Sequence, residues 1–147
     1  MPSEPRFGLV TADGRRPRVA VVDGNNASAM IGTILVEQFG CMALPAATGE
    51  AMLGLLRQGD PIDLIVVDLA LPDMDAFVVA QLIRALGSRG EMPILALVGQ
   101  HNDLSASRGR AAGFAGAVQK PYSPRELYGA MQAALAERAA PAAAGDA

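Results

Sequence analysis

Three charged residues in this chain stand where short apolar runs end. Asp68 follows Leu64-Ile65-Val66-Val67, Asp23 follows Val19-Ala20-Val21-Val22, and Lys120 follows Gly116-Ala117-Val118-Gln119. Apolar runs of this length between turn signals read as buried strands. A carboxylate costs free energy wherever water is scarce. An acid directly after such a run therefore marks a strand's carboxyl end, the edge of an open α/β sheet where ligands and chemistry gather. Two carboxylates and an ammonium brought to one such edge suggest a site for a cation and a phosphoryl group.

The elements that must position these residues alternate along the chain. Strands are expected at about 18–22, 42–46, 62–67, 93–98 and 115–119, with Pro45 pointing to an edge position for the second. A helix is expected at about 26–39, with Met30, Ile31, Ile34 and Leu35 at helical spacing and Gly40 just past its end. Thr48 can cap a second helix that turns Met52, Leu55 and Leu56 inward and stops at Gly59. A third runs over about 75–86, using Phe77, Leu82, Ile83 and Leu86. A fourth, over about 102–112, contains Leu104 but also Gly109, which costs about 1 kcal/mol relative to Ala inside a helix. A fifth opens on the capping box Ser123-Pro124-Arg125-Glu126 and aligns Leu127, Met131 and Leu135. Five strand–helix alternations imply a parallel sheet, and right-handed crossovers put its helices on both faces. The expected architecture is a flavodoxin-like (βα)5 fold of strand order 2-1-3-4-5, with Asp23 and Asp68 adjacent at the switch point. Residues 1–16 read as a flexible arm, 17–137 as the domain and 138–147 as a low-complexity tail.

Composition removes several function classes. The chain has 147 residues, enough for one domain with a sizeable core. It is 51% hydrophobic and only 4% aromatic, so that core is aliphatic. A net charge of -3 with interspersed signs offers no basic nucleic-acid face. A single cysteine, Cys41, excludes an internal disulfide and a cysteine zinc cluster. No run has the apolar length of a membrane span or of a signal-peptide core, which makes the cytoplasm the expected location. His101 lacks a ligand-spaced partner, Asp73 and Asp75 read as loop charges or a cap for the third helix, and Tyr122 either packs beside Lys120 or faces a partner.

Taken together, Val-Val-Asp at 21–23, Asp-Leu-Ile-Val-Val-Asp-Leu-Ala-Leu-Pro-Asp-Met-Asp at 63–75, Pro-Ile-Leu-Ala-Leu at 93–97, Ala-Ala-Gly-Phe-Ala-Gly-Ala at 111–117 and Lys-Pro-Tyr at 120–122 resemble a response-regulator receiver domain of two-component signalling. The resemblance covers roughly residues 17–137. It implies that Asp68 accepts a phosphoryl group from a kinase histidine, that Lys120 pairs with the phosphate, and that Mg²⁺ is held by Asp23, Asp68 and the Ala70 carbonyl. It also implies a histidine kinase or phosphotransferase as partner. Homodimerisation through the face of the fourth helix, fifth strand and fifth helix, where Arg108 and Arg110 fall, is a further expectation.

Several positions depart from the family's pattern. The second of its two acids after the first strand is here Gly24, so a hard anionic oxygen is missing and Mg²⁺ should bind weakly or not at all. Asn25 or Asn26 could offer an amide oxygen but no charge. The hydroxyl residue after the fourth strand is Val98, which cannot make the phosphoryl hydrogen bond, worth about 1.5–3 kcal/mol to a charged group. The switch aromatic is Ala117, and Ala76 replaces a common Gly. The expected protein is a stand-alone, atypical receiver that acts by protein–protein interaction with an impaired phosphorylation switch. The competing readings are a phosphorylation-independent dimerisation or adaptor module and an aspartyl-phosphate phosphohydrolase. The hydrolase normally needs a second aspartate two residues after the nucleophile, where this chain has Ala70. No Gly-rich phosphate cradle is present to support nucleotide use.

Overall fold

In the computed structural model, residues 8–11, 13–59, 61–86, 91–99 and 113–139 are described. The apolar runs form strands β1 (Arg18–Val22), β2 (Met42–Ala46), β3 (Leu64–Asp68), β4 (Ile94–Val98) and β5 (Gly116–Gln119). Between and after them lie α1 (Asn26–Gln38), α2 (Gly49–Arg57), α3 (Ala76–Arg84) and α4 (Pro124–Ala139). All strands pair in parallel, in the order β2-β1-β3-β4-β5. This is the expected topology, with the proline-bearing β2 at an edge.

Because side chains alternate across a strand, the sheet feeds two cores. Ala20, Val22, Ile65, Val67, Ile94 and Ala96 pack with Met52, Leu53 and Leu56 of α2 and Val79, Ala80 and Ile83 of α3. Val19, Val21, Leu64, Val66, Leu95 and Leu97 pack with Val36 and Phe39 and with Leu127, Met131 and Ala134 of α4. The helix expected at 102–112, with His101, Arg108 and Arg110, lies outside the described residues, as does part of the dimer face expected there.

The helix ends follow capping chemistry. Asn25 Oδ1 accepts from Ser28 N–H at 2.9 Å, Thr48 Oγ1 from Ala51 N–H at 3.0 Å, and Asp75 Oδ1 from Phe77 N–H at 2.6 Å. Before α4 the capping box closes in both directions. Ser123 N–H donates to Glu126 Oε1 at 2.7 Å, and Glu126 N–H donates to Ser123 Oγ at 3.1 Å. Gly40 and Gly59 take left-handed φ of 90° and 86° beyond α1 and α2, where a side chain would be strained.

Two features go beyond what the sequence pattern indicates. On α1 it is Gly32 and Val36 that are buried, whereas Met30, Ile31 and Ile34 are 64%, 55% and 47% exposed. A Cβ on Gly32 would lie 3.3 Å from Val21 Cγ1, so the helix approaches the sheet through its glycine and turns the bulkier stripe outward. Secondly, Leu9, Arg15 and Arg16, within the segment expected as an arm, make contacts with the fold. Leu9 is buried among Val36, Phe39 and Cys41, and its N–H donates to the Phe39 carbonyl at 2.9 Å. Arg15 pairs with the buried Asp63 at 3.3 Å, and Arg16 donates to the Cys41 carbonyl at 3.1 Å.

Candidate functional site

Asp68 is the last residue of β3, and Asp23 lies one position beyond β1. The register that sets Val22 beside Val67 carries the two acids to neighbouring strand ends. Asp23 is 3% and Asp68 8% exposed. Lys120 follows β5, two strands from Asp68. Its N–H is anchored to the Val98 carbonyl at 2.8 Å, and its peptide bond to Pro121 is cis. The side chain reaches back across the end of β4, and the ammonium lies 2.5 Å from Asp68 Oδ2 and 3.0 Å from Asp23 Oδ2. The three strand-end charges therefore meet, as their positions in the chain require.

The remaining carboxylate oxygens are also engaged. Asp68 Oδ1 accepts from Ala70 N–H at 2.8 Å, and Asp23 Oδ1 from Asn25 N–H at 2.9 Å. Burial opposes charge on Lys120, but hydrogen bonds to Asp68 and Asp23 outweigh it, and its pKa stands above the ordinary 10.5. Burial likewise raises the phenol of Tyr122, which packs at the rim of the α1–α4 core. With Ser28, Ile31, Lys120 and Pro121, Tyr122 lines an open cavity of about 380 Å³ beside the charged cluster.

One member of the cluster was missed in the sequence. Ser28 Oγ donates to Asp23 Oδ2 at 2.5 Å and accepts from Lys120 Nζ at 2.6 Å. The signal was positional. Ser28 is the third residue of α1, and helical Cβ atoms tilt toward the N-terminus, here toward the end of β1. The amide oxygen of Asn25, considered above for a metal, caps α1 instead.

The altered positions have structural consequences. Gly24 is exposed, but a Cβ there would come within 2.6 Å of Pro72 Cδ. Val98 ends β4 with an aliphatic side chain packed in the α2–α3 core, and Ala117 is exposed on β5. Asp73 caps α2 across space. Its carboxylate accepts from Gly49 N–H at 2.8 Å and Glu50 N–H at 3.0 Å, with the Gly49 bond foremost in holding its pKa below the ordinary 3.8. Among the described residues no group of three His, Cys, Asp or Glu side chains could hold a metal ion, and no helix is long and apolar enough to cross a membrane.

Comparison with known proteins fits this arrangement. A family model described as the response regulator receiver domain matches residues 19–132. The chain is 30% identical to the DNA-binding response regulator MtrA of Mycolicibacterium smegmatis, over 84% of this chain and 52% of MtrA. It is 28% identical to the regulatory protein VanRc of Enterococcus gallinarum, over 80% of this chain and 49% of VanRc. It thus spans about half the length of these relatives. Among solved structures, the chemotaxis response regulator CheY4 of Vibrio cholerae superposes with a TM-score of 0.71 at 25% identity, covering 80% of this chain and 97% of that one.

Proposed function

The chain belongs to the response-regulator receiver family, and on that premise we propose that Asp68 is the phosphoacceptor of a His–Asp phosphorelay, with Lys120 as its charge partner. The observation that carries this reading is the single ammonium shared by two buried carboxylates at adjoining strand ends. In the transfer, an Asp68 oxygen attacks the phosphorus of a phosphohistidine. The phosphorus–nitrogen bond breaks, its electron pair stays on the imidazole, and an acyl phosphate forms on Asp68. Lys120 faces the added negative charge. The chain serves as an acceptor that signals by binding, on the cytoplasmic side where such kinases act, and does not turn over a substrate.

Mg²⁺, which receivers use at this site, would neutralise phosphoryl oxygens. The residues present do not fit a tightly held ion. They offer two carboxylates and the Ala70 carbonyl, each carboxylate oxygen already has a donor, and Gly24 supplies no oxygen. Nor is the usual relay from phosphate to surface available: Val98 has no hydroxyl and Ala117 has no ring. The module therefore presents much the same surface with or without phosphate.

A histidine kinase or phosphotransferase must bring its imidazole to Asp68. The exposed stripe Met30, Ile31 and Ile34 on α1, contiguous through Ile31 with the cavity at Lys120, offers such a donor an apolar surface beside the acceptor. Ile31→Glu should slow labelling by a phosphohistidine protein while leaving labelling by acetyl phosphate unchanged.

The test of the reading is incubation with acetyl phosphate and excess Mg²⁺ followed by intact-mass measurement. One added phosphoryl group, lost in Asp68→Asn, is the expected result. No gain in the wild type, with partner binding retained, would make the chain a phosphate-independent adaptor. Release of product from an aryl phosphate above background would favour the hydrolase.

A further inference from the structure

We propose that Ser28 is a positioning residue that clamps Lys120 onto the two acids and keeps divalent cations out of the site. The proposal deepens the phosphoacceptor reading and rests on it for its significance, though not for its test. Asp23 Oδ2 accepts from both Ser28 Oγ, at 2.5 Å, and Lys120 Nζ, at 3.0 Å. A carboxylate oxygen with two donors has both of its lone pairs in use. Ser28 in turn presents its proton to Asp23 and a lone pair to Lys120, at 2.6 Å. The hydroxyl therefore cannot serve as a neutral metal ligand without breaking the clamp. A cation approaching the acids must displace the hydroxyl, the ammonium, or both.

The arrangement compensates for Gly24. With one acid missing, Asp23 and Asp68 carry two negative charges, and the ammonium leaves the cluster at a net of one. The clamp holds that resident cation at 2.5 Å from Asp68. Phosphate on Asp68 would then meet an ammonium already fixed in place, so the site is preset rather than assembled by metal binding.

The test compares the wild type, Ser28→Ala and Ser28→Thr by Mn²⁺ titration, read from paramagnetic broadening of the Asn25 and Ala70 amide resonances. Alanine is favoured within a helix, and threonine keeps the hydroxyl, with the adjoining cavity available for its methyl group. Ser28→Ala should bind Mn²⁺ roughly tenfold more tightly than the wild type, the scale of one lost hydrogen bond to a charged group. Ser28→Thr should match the wild type. Equal or weaker binding by Ser28→Ala, or a Ser28→Thr that behaves like alanine, would overturn the proposal. The titration needs no phosphorylation, so it still decides if Asp68 proves not to be an acceptor.

Discussion

Lys120 carries the charge that lets Asp23 and Asp68 stand together with little water. Removing it leaves two neighbouring buried carboxylates without their counter-ion, whereas Asp68→Asn leaves Asp23 and Lys120 balanced. Lys120→Met should therefore lower unfolding stability by about 3 kcal/mol, the scale for breaking a buried pair from one side, and Asp68→Asn by clearly less. Equal losses in urea unfolding would show that the ammonium does not hold the acids. The contribution of Lys120 is fully present below its ordinary pKa of 10.5 and disappears only as pH rises through its higher folded value. It should not vary between neutral and mildly alkaline pH. These three residues were legible because each follows an apolar run. Ser28 was not, since a serine in the first turn of a helix reads as ordinary capping chemistry.

At the scale of elements, the segment after β3 is fastened to α2. Asp73 caps the first turn of α2, and Met74 lies so close to Gly49 that a Cβ there would approach its Cγ to 2.6 Å and Val79 Cγ2 to 2.9 Å. Gly49→Ala should destabilise the chain by about 1–3 kcal/mol, the usual range for overpacking, measurable as a lower urea midpoint. The Asp73 carboxylate, held below its ordinary 3.8 by backbone donors, stabilises above that value, and its effect is lost as pH falls through the lower folded pKa. Between pH 5 and 3, on the order of that carboxylate range, stability should therefore fall more steeply in the wild type than in Asp73→Asn. Parallel slopes would mean the cap contributes nothing. Strand order and helix stops could be read from apolar runs, Pro45, Gly40 and Gly59. The inward face of α1 could not, because close approach through Gly32 leaves no mark in a hydrophobic pattern. The partner of Asp73 was hidden for a related reason, since its donors are 24 and 23 residues away.

For the molecule as a whole, the sheet closes two aliphatic cores, and the second extends to Leu9. The Pro, Gly and charge around that leucine conceal it in the sequence, and only its packing with Val36, Phe39 and Cys41 shows why it is buried. Leu9→Ala should cost about 2 kcal/mol, the low end for an emptied leucine site. An unchanged melting profile would show that Leu9 adds nothing to the fold, as expected of an arm over residues 1–16. Cys41 lies in the same core, where burial pushes its thiol up to about 11. It should resist alkylation near neutral pH until the chain unfolds. On the reading proposed for Asp68, this scaffold serves the placement of one nucleophilic carboxylate, and chemistry at that residue tests it most directly. After labelling with acetyl phosphate, borohydride reduction converts an acyl phosphate to an alcohol, and peptide sequencing then locates it. The expected result is homoserine at position 68 and nowhere else. Modification at Asp23, Asp73 or Asp75 instead, or a reduction-resistant phosphate on Ser28, would contradict the account.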